Sequence, residues 1–170
     1  MKSSNEEVIS VLSGLRLRKI HRWGDILVVN FGELREVPWR RGGTVEVGDW
    51  ALHIQTSWRF TRANRILLGV LDLYTYAEDG SHYDWDRAGE SRFDRIAEGL
   101  NRSWRDADIR VRHVACDEVG SITLHLDTGL HFAVFPNFSS DHPDREYWRL
   151  LQPATDHPQH IVCTDAPAAL

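Results

Sequence analysis

From Trp50 to Phe60 the sequence WALHIQTSWRF alternates with a period of two. Trp50, Leu52, Ile54, Thr56, Trp58 and Phe60 fall on one face of an extended strand, and His53, Gln55, Ser57 and Arg59 on the other. A chain carrying this stretch has to bury one side of a sheet. The same alternation explains why Trp is followed by Arg at Trp39-Arg40, Trp58-Arg59, Trp104-Arg105 and Trp148-Arg149. Adjacent strand residues point oppositely, so the indole enters the core while the Arg stem covers neighbouring apolar surface. The four pairs are not equivalent, because Trp39-Arg40 reads as a turn and Trp104-Arg105 as a helix end.

Strand patterns recur along the chain. RLRKIHRW and DILVVNF flank Gly24-Asp25, which predicts a hairpin. PWRRGG precedes TVEVGDWALHIQTSWRF, and RILLGVLDLY follows it; two Gly at a hairpin tip account for Gly42-Gly43, and no phosphate loop is expected there. IRVRHVAC, SITLHL, LHFAVF, EYWRLL and HIVC complete the set. A three-residue loop at Asp127, Thr128 and Gly129 pairs Leu126 with Leu130, Leu124 with Phe132 and Ile122 with Val134, and sets His125 opposite His131. Two helices are expected. Ser4 and Glu7 match a capping box ahead of a Val8, Val11, Leu12, Leu15 stripe that stops at Gly14. Ser91 caps a second helix near 90–104 with Phe93, Ile96, Ala97, Leu100 and Trp104 on one stripe. The fold class predicted is α+β: a large, mainly antiparallel meander sheet with an N-terminal helix and a second helix packed on it. A single domain over 1–163 and a disordered tail over 164–170 are expected.

Composition narrows function by exclusion. The chain has 170 residues, 42% of them hydrophobic, and a formal net charge of −5, which argues against nucleic acid as a partner. The N-terminus lacks an apolar leader core and no run reaches membrane-spanning length, so a cytoplasmic protein without a membrane partner is expected. Two Cys are too few for a disulfide framework. His125 and His131 supply half a zinc site, and His157, His160 and Cys163 alternate in strand parity, so neither a metal nor another cofactor is expected.

Two segments carry candidate binding residues. YTYAEDGSHYDWDRAGE, residues 74–90, interleaves aromatic and acidic side chains, and Tyr76, Tyr83, Asp84, Trp85 and Asp86 form a candidate partner-binding set. The alternative is a pocket over the polar face of strand 50–60, lined by His53, Gln55 and Arg59. The loop PNFSSDHPDREYW holds Ser139, Ser140, Asp141, His142 and Asp144, but lacks a nucleophile elbow, and no catalytic residue is assigned.

ALHIQTSWRF, and SITLHLDTGLHFAVFPNF leading into EYWRLLQP and HIVC, resemble stretches of small uncharacterised bacterial proteins, some of them immunity-like proteins that neutralise toxins. Those relatives place Cys-Pro before the Trp-Arg where this chain has Thr56-Ser57, so any thiol role there is absent here. The resemblance implies no catalytic residue. The expected function is therefore a non-catalytic bacterial binding protein, immunity-like, with a protein partner. The alternative is a small-molecule-binding or hydrolytic protein.

Overall fold

A computed structural model describes residues 4–39, 41–76, 84, 87–139, 146–156 and 159–164. The N-terminal helix α1 (Ser4–Ile9) tightens into a 3-10 turn, Ser10–Leu12. That tightening moves the buried stripe away from the expected one. Three residues per turn stack Ile9 over Leu12 in the core, while Val11 is exposed. Gly14, at φ 78°, ends the segment in the left-handed conformation that glycine permits.

The hairpin of β1 (Leu17–Trp23) and β2 (Ile26–Phe31) turns at Gly24-Asp25 with Trp23 opposite Ile26. A second hairpin, β3 (Arg35–Pro38) and β4 (Thr44–Val47), has Gly42 and Gly43 at its tip. The amphipathic run then divides into β5 (Trp50–Ile54) and β6 (Ser57–Arg62), and β7 (Arg65–Gly69) pairs with β6. The expected strand RILLGVLDLY stops at Gly69. There Asp72 accepts the Gly69 amide N–H at 2.9 Å and starts a 3-10 helix, Val70–Tyr74. Helix α2 (Arg92–Trp104) follows the capping pattern read from Ser91, with Ser91 Oγ accepting the Asp94 N–H at 3.1 Å. The remaining strands are β8 (Val111–Cys116), β9 (Ile122–Leu126), β10 (Leu130–Phe135), β11 (Trp148–Leu151) and β12 (His160–Cys163).

These strands do not form one large meander. They make two five-stranded antiparallel sheets, ordered β1-β2-β5-β11-β12 and β7-β6-β10-β9-β8, with β3-β4 apart. The cause is a break at Gln55 and Thr56 that sends one amphipathic run from the first sheet into the second. The Gln55 N–H donates to Tyr147 O at 3.0 Å, and buried Thr56 donates to Phe135 O at 3.2 Å. Parity survives the break, so Leu52 and Ile54 join Trp58 and Phe60 in one hydrophobic cluster. At the opposite corner Arg16 bridges Arg110, and Leu17 N–H bonds Ile109 O at 2.8 Å.

Helix α2 packs against β1 and β7, on the edges of the two sheets. Its Asn101 carboxamide accepts from Ile20 N–H at 2.9 Å and donates to Ile20 O at 2.8 Å, completing the ladder of an otherwise open edge strand. Arg22 clamps Asp94 at the helix N-terminus through two 2.8 Å bonds, Nε to Oδ1 and Nη2 to Oδ2. Burial alone would raise the Asp94 pKa, but the hydrogen bonds and charge of Arg22, with Ser91, hold it below the usual carboxylate range. Among the described residues no helix is long and apolar enough to cross a membrane.

Three of the four Trp of the Trp-Arg pairs, Trp58, Trp104 and Trp148, are buried, and Trp39 is not. Trp58 packs edge-on against Phe60 and Phe93, and its indole N–H is buried without a partner among the described residues. Trp58→Ala is expected to cost about 3–5 kcal/mol in a denaturant titration. Trp58→Phe should cost much less, since the lost N–H made no bond. Equal losses in the two variants would contradict this packing.

Candidate functional site

The outer face of the first sheet is not the solvated face that strict alternation implies. Val28 and Asn30 on β2, and Ala51 and His53 on β5, are all buried on the side away from the core. The β3-β4 hairpin covers them. Its base is fixed by Gly48, whose N–H donates to Asn30 Oδ1 at 3.0 Å. Any Cβ at Gly48 would lie 2.5 Å from Phe31 O, so only glycine allows this approach. Asp49 completes the fastening by accepting from the Glu33 N–H at 2.8 Å and from Arg35 at 2.9 Å.

Between hairpin and sheet lies a cavity of about 410 Å³. Val45 and Val47 of the hairpin face Val28 and Ala51 of the sheet across it, and Leu151 and Pro153 close one side. Trp23 and Trp39, both exposed, contribute its aromatic wall with ring centroids 5.5 Å apart. Trp23 also stands edge-on to His21 at 5.7 Å and to His53 at 5.1 Å.

The two histidines belong to one cross-strand row, in which His21 pairs with Val28, Val28 with His53 and His53 with Arg149. Burial pushes the His21 pKa down to about 4, helped by Lys19 and His53. Burial likewise pushes His53 to about 4, helped by Arg149 and His160 and opposed by Glu146. Both imidazoles are therefore neutral at physiological pH. The tautomer of His21 follows from its neighbours. Gly48 N–H must donate to Asn30 Oδ1, which turns the Asn30 amide nitrogen toward His21 Nδ1 at 3.4 Å. Nδ1 then accepts and the ring proton sits on Nε2, which is buried with no partner among the described residues.

The structure separates the residues of the expected polar pocket. His53 lines this cavity. Gln55 is exposed at the break and donates to Glu146 at 3.2 Å. Arg59 lies on the outer face of the second sheet, 5.6 Å above the Phe135 ring. Of the other candidate set, Tyr76 is exposed and bridges Ser91, and exposed Asp84 donates its backbone N–H to Glu90 at 3.1 Å. Tyr83, Trp85 and Asp86 lie outside the described residues, as do Ser140, Asp141, His142, Asp144 and His157.

His125 does face His131, with ring centroids 4.5 Å apart, and His113 on β8 extends the pair to a row of three. Among the described residues no group of three or more His, Cys, Asp or Glu side chains is placed to hold a metal ion. His21, Trp23, Asn30 and Trp39 escaped the sequence reading. Their signal was the run ILVVNF in DILVVNF, apolar at successive positions rather than alternate ones, as in a strand covered on both faces.

The neutral histidines give a pH dependence of stability. Between about pH 6.5 and 4 the unfolded chain takes up protons that the folded chain refuses, so stability falls as pH falls through that window. The loss is at most about 3 kcal/mol per histidine. Imidazole resonances of His21 and His53 followed by NMR should stay in the neutral form at about pH 5.5. Titration near 6.5 would show that these rings are solvated.

No family model matches this sequence, and neither a curated protein nor a solved structure matches it, so the geometry of the chain itself carries the functional reading.

Proposed function

We propose that the protein is a non-catalytic binding protein, and that the cavity under the β3-β4 hairpin holds an uncharged, ring-bearing group of its ligand. The observation that carries this is the pairing of exposed Trp23 and Trp39 over an apolar chamber whose two imidazoles are held neutral. A chamber of about 410 Å³ suits a ligand of one or two rings. Aromatic walls favour ring stacking, and the Nε2–H of His21, without a partner among the described residues, favours a ligand that carries one hydrogen-bond acceptor. A charged ligand would lose its hydration without a counter-ion to replace it.

Hydrolysis is the weaker form of this reading. The described residues lining the cavity include no Ser, Thr, Cys, Asp, Glu or Lys, so neither a nucleophile nor a carboxylate partner for His53 stands there. Imidazoles with pKa values of about 4 are also weak general bases.

The test is a titration with 2-naphthol, followed by tryptophan fluorescence, with 2-naphthoate as the charged counterpart. Saturable, sub-millimolar binding of the neutral probe is expected, with much weaker binding of the anion. Trp39→Ala should weaken 2-naphthol binding by roughly tenfold while leaving the fold intact, because Trp39 is exposed. No saturation, or no effect of Trp39→Ala, would refute the assignment.

A protein partner remains a second reading, in keeping with the resemblance to immunity-like proteins. It is favoured by the exposure of Leu71, Tyr74 and Tyr76 within six residues, at the entry to the acidic segment that holds Asp84. If a basic protein docks there, Asp84→Asn should slow its association and Tyr76→Ala should speed its dissociation in binding kinetics. Unchanged kinetics in both variants would remove this edge from the interface.

A further inference from the structure

Strand register sets two cross-strand rows side by side on the outer face of the second sheet. The first runs His113, His125, His131, Thr61 and Ile66 from β8 to β7. The second, one pleat away, runs Ala115, Thr123, Ala133, Arg59 and Gly69. None of these residues is buried, in contrast to the outer face of the first sheet beneath its hairpin.

The two rows differ in height. The three imidazoles pack edge to face, with ring centroids 5.6 and 4.5 Å apart, and build one continuous ridge. Beside the ridge, Ala115, Thr123 and Ala133 form a trough of short side chains. The same relation holds at the β7 end, where exposed Ile66 belongs to the tall row and Gly69 to the low one. Charge is depleted in the same place. Asp, Glu, Lys and Arg make up 26% of the chain, yet Arg59 is the only one of them in either row. Burial, with His131 and His113, lowers the His125 pKa, so that imidazole is neutral at physiological pH. Missing charge beside exposed rings and apolar side chains is the composition of an interface centre, not of a solvated face.

We propose that this face docks a second copy of the same chain, packed sheet on sheet about a two-fold axis. An axis lying in the interface, parallel to the rows and midway between them, lays the tall row of each copy on the low row of the other. His113 then meets Ala115 of the second copy, His125 meets Thr123, His131 meets Ala133 and Ile66 meets Gly69, each contact occurring twice. Arg59 of each copy lies over Thr61 of the other, so the two guanidiniums do not face each other. The relief is complementary to itself, which is why a second copy fits it. The face spans roughly 24 by 20 Å, from about 4.8 Å between strands and about 7 Å between rows, and two copies together bury about 1,000 Å². That area is at the lower end for a specific interface, so the dimer is a reversible one with micromolar dissociation. The aromatic chamber lies over the other sheet and stays accessible in the dimer.

The experiment is sedimentation equilibrium of the intact chain from about 5 to about 500 μM, with amide NMR over the same range. A monomer–dimer equilibrium is expected, strengthened by NaCl at ~0.3 M because two copies of net charge −5 repel each other. The amides of Thr61, Ala115, Thr123, His125, His131 and Ala133 should shift with concentration, a readout that needs no variant to fold. Ala133→Arg fills the trough with a charged side chain and should weaken dimerisation by at least about tenfold. Val162→Arg adds the same charge to the outer face of the first sheet and should leave dimerisation unchanged. A chain that stays monomeric at the highest concentration, shifts that fall outside this face, no effect of Ala133→Arg, or an equal loss in Val162→Arg would overturn the proposal.

Discussion

The break at Gln55 and Thr56 is the constraint from which the rest of the architecture follows. One amphipathic run of eleven residues supplies β5 to the first sheet and β6 to the second. The Gln55 N–H at the break donates to Tyr147 O, and the Thr56 hydroxyl lies within bonding distance of Phe135 O and Asn137 Oδ1. Because parity is kept, every second side chain stays in a shared core. The alternate side chains are divided between two outer faces that the same sequence would otherwise have placed together.

Those two faces have opposite physical characters. Over the first sheet, Gly48 and Asn30 bring a hairpin down onto His21 and His53 and create an aromatic chamber lined by neutral imidazoles. Over the second, Arg59 is exposed, with its guanidinium 5.6 Å from the Phe135 ring. The Arg22–Asp94 clamp and the Asn101 contacts to Ile20 hold α2 against the edge strand that carries His21, so the helix braces the chamber without lining it.

Local patterns were legible wherever local physics decides the outcome. The Asp127-Thr128-Gly129 loop was read with the right register, because any one-residue slip would have turned Leu124 and Ile122 away from the core. Thr128 and Gly129 are both left-handed. The turn twist favours positive φ at both positions, and the hydroxyl bond to Arg62 helps hold it. Helix α2 was legible from its Ser91 cap and its apolar stripe. Helix α1 departs from its expected stripe because a short helix that tightens into a 3-10 turn no longer keeps a 3.6-residue period.

Antiparallel strands with two helices, the alternation of side chains, and the core positions of Trp58, Trp104 and Trp148 are all legible in the residues. Each of these depends on neighbours within a few residues, through strand parity, helix caps and turn chemistry. Tertiary structure alone decided that the strands split into two sheets, that His53 is separated from Gln55 and Arg59, and that Trp39 meets Trp23 over a cavity. Those outcomes are set by contacts between segments far apart in the chain. Alternation records only that a residue points away from the core, and whether water or a hairpin meets it there is fixed by what folds over that face.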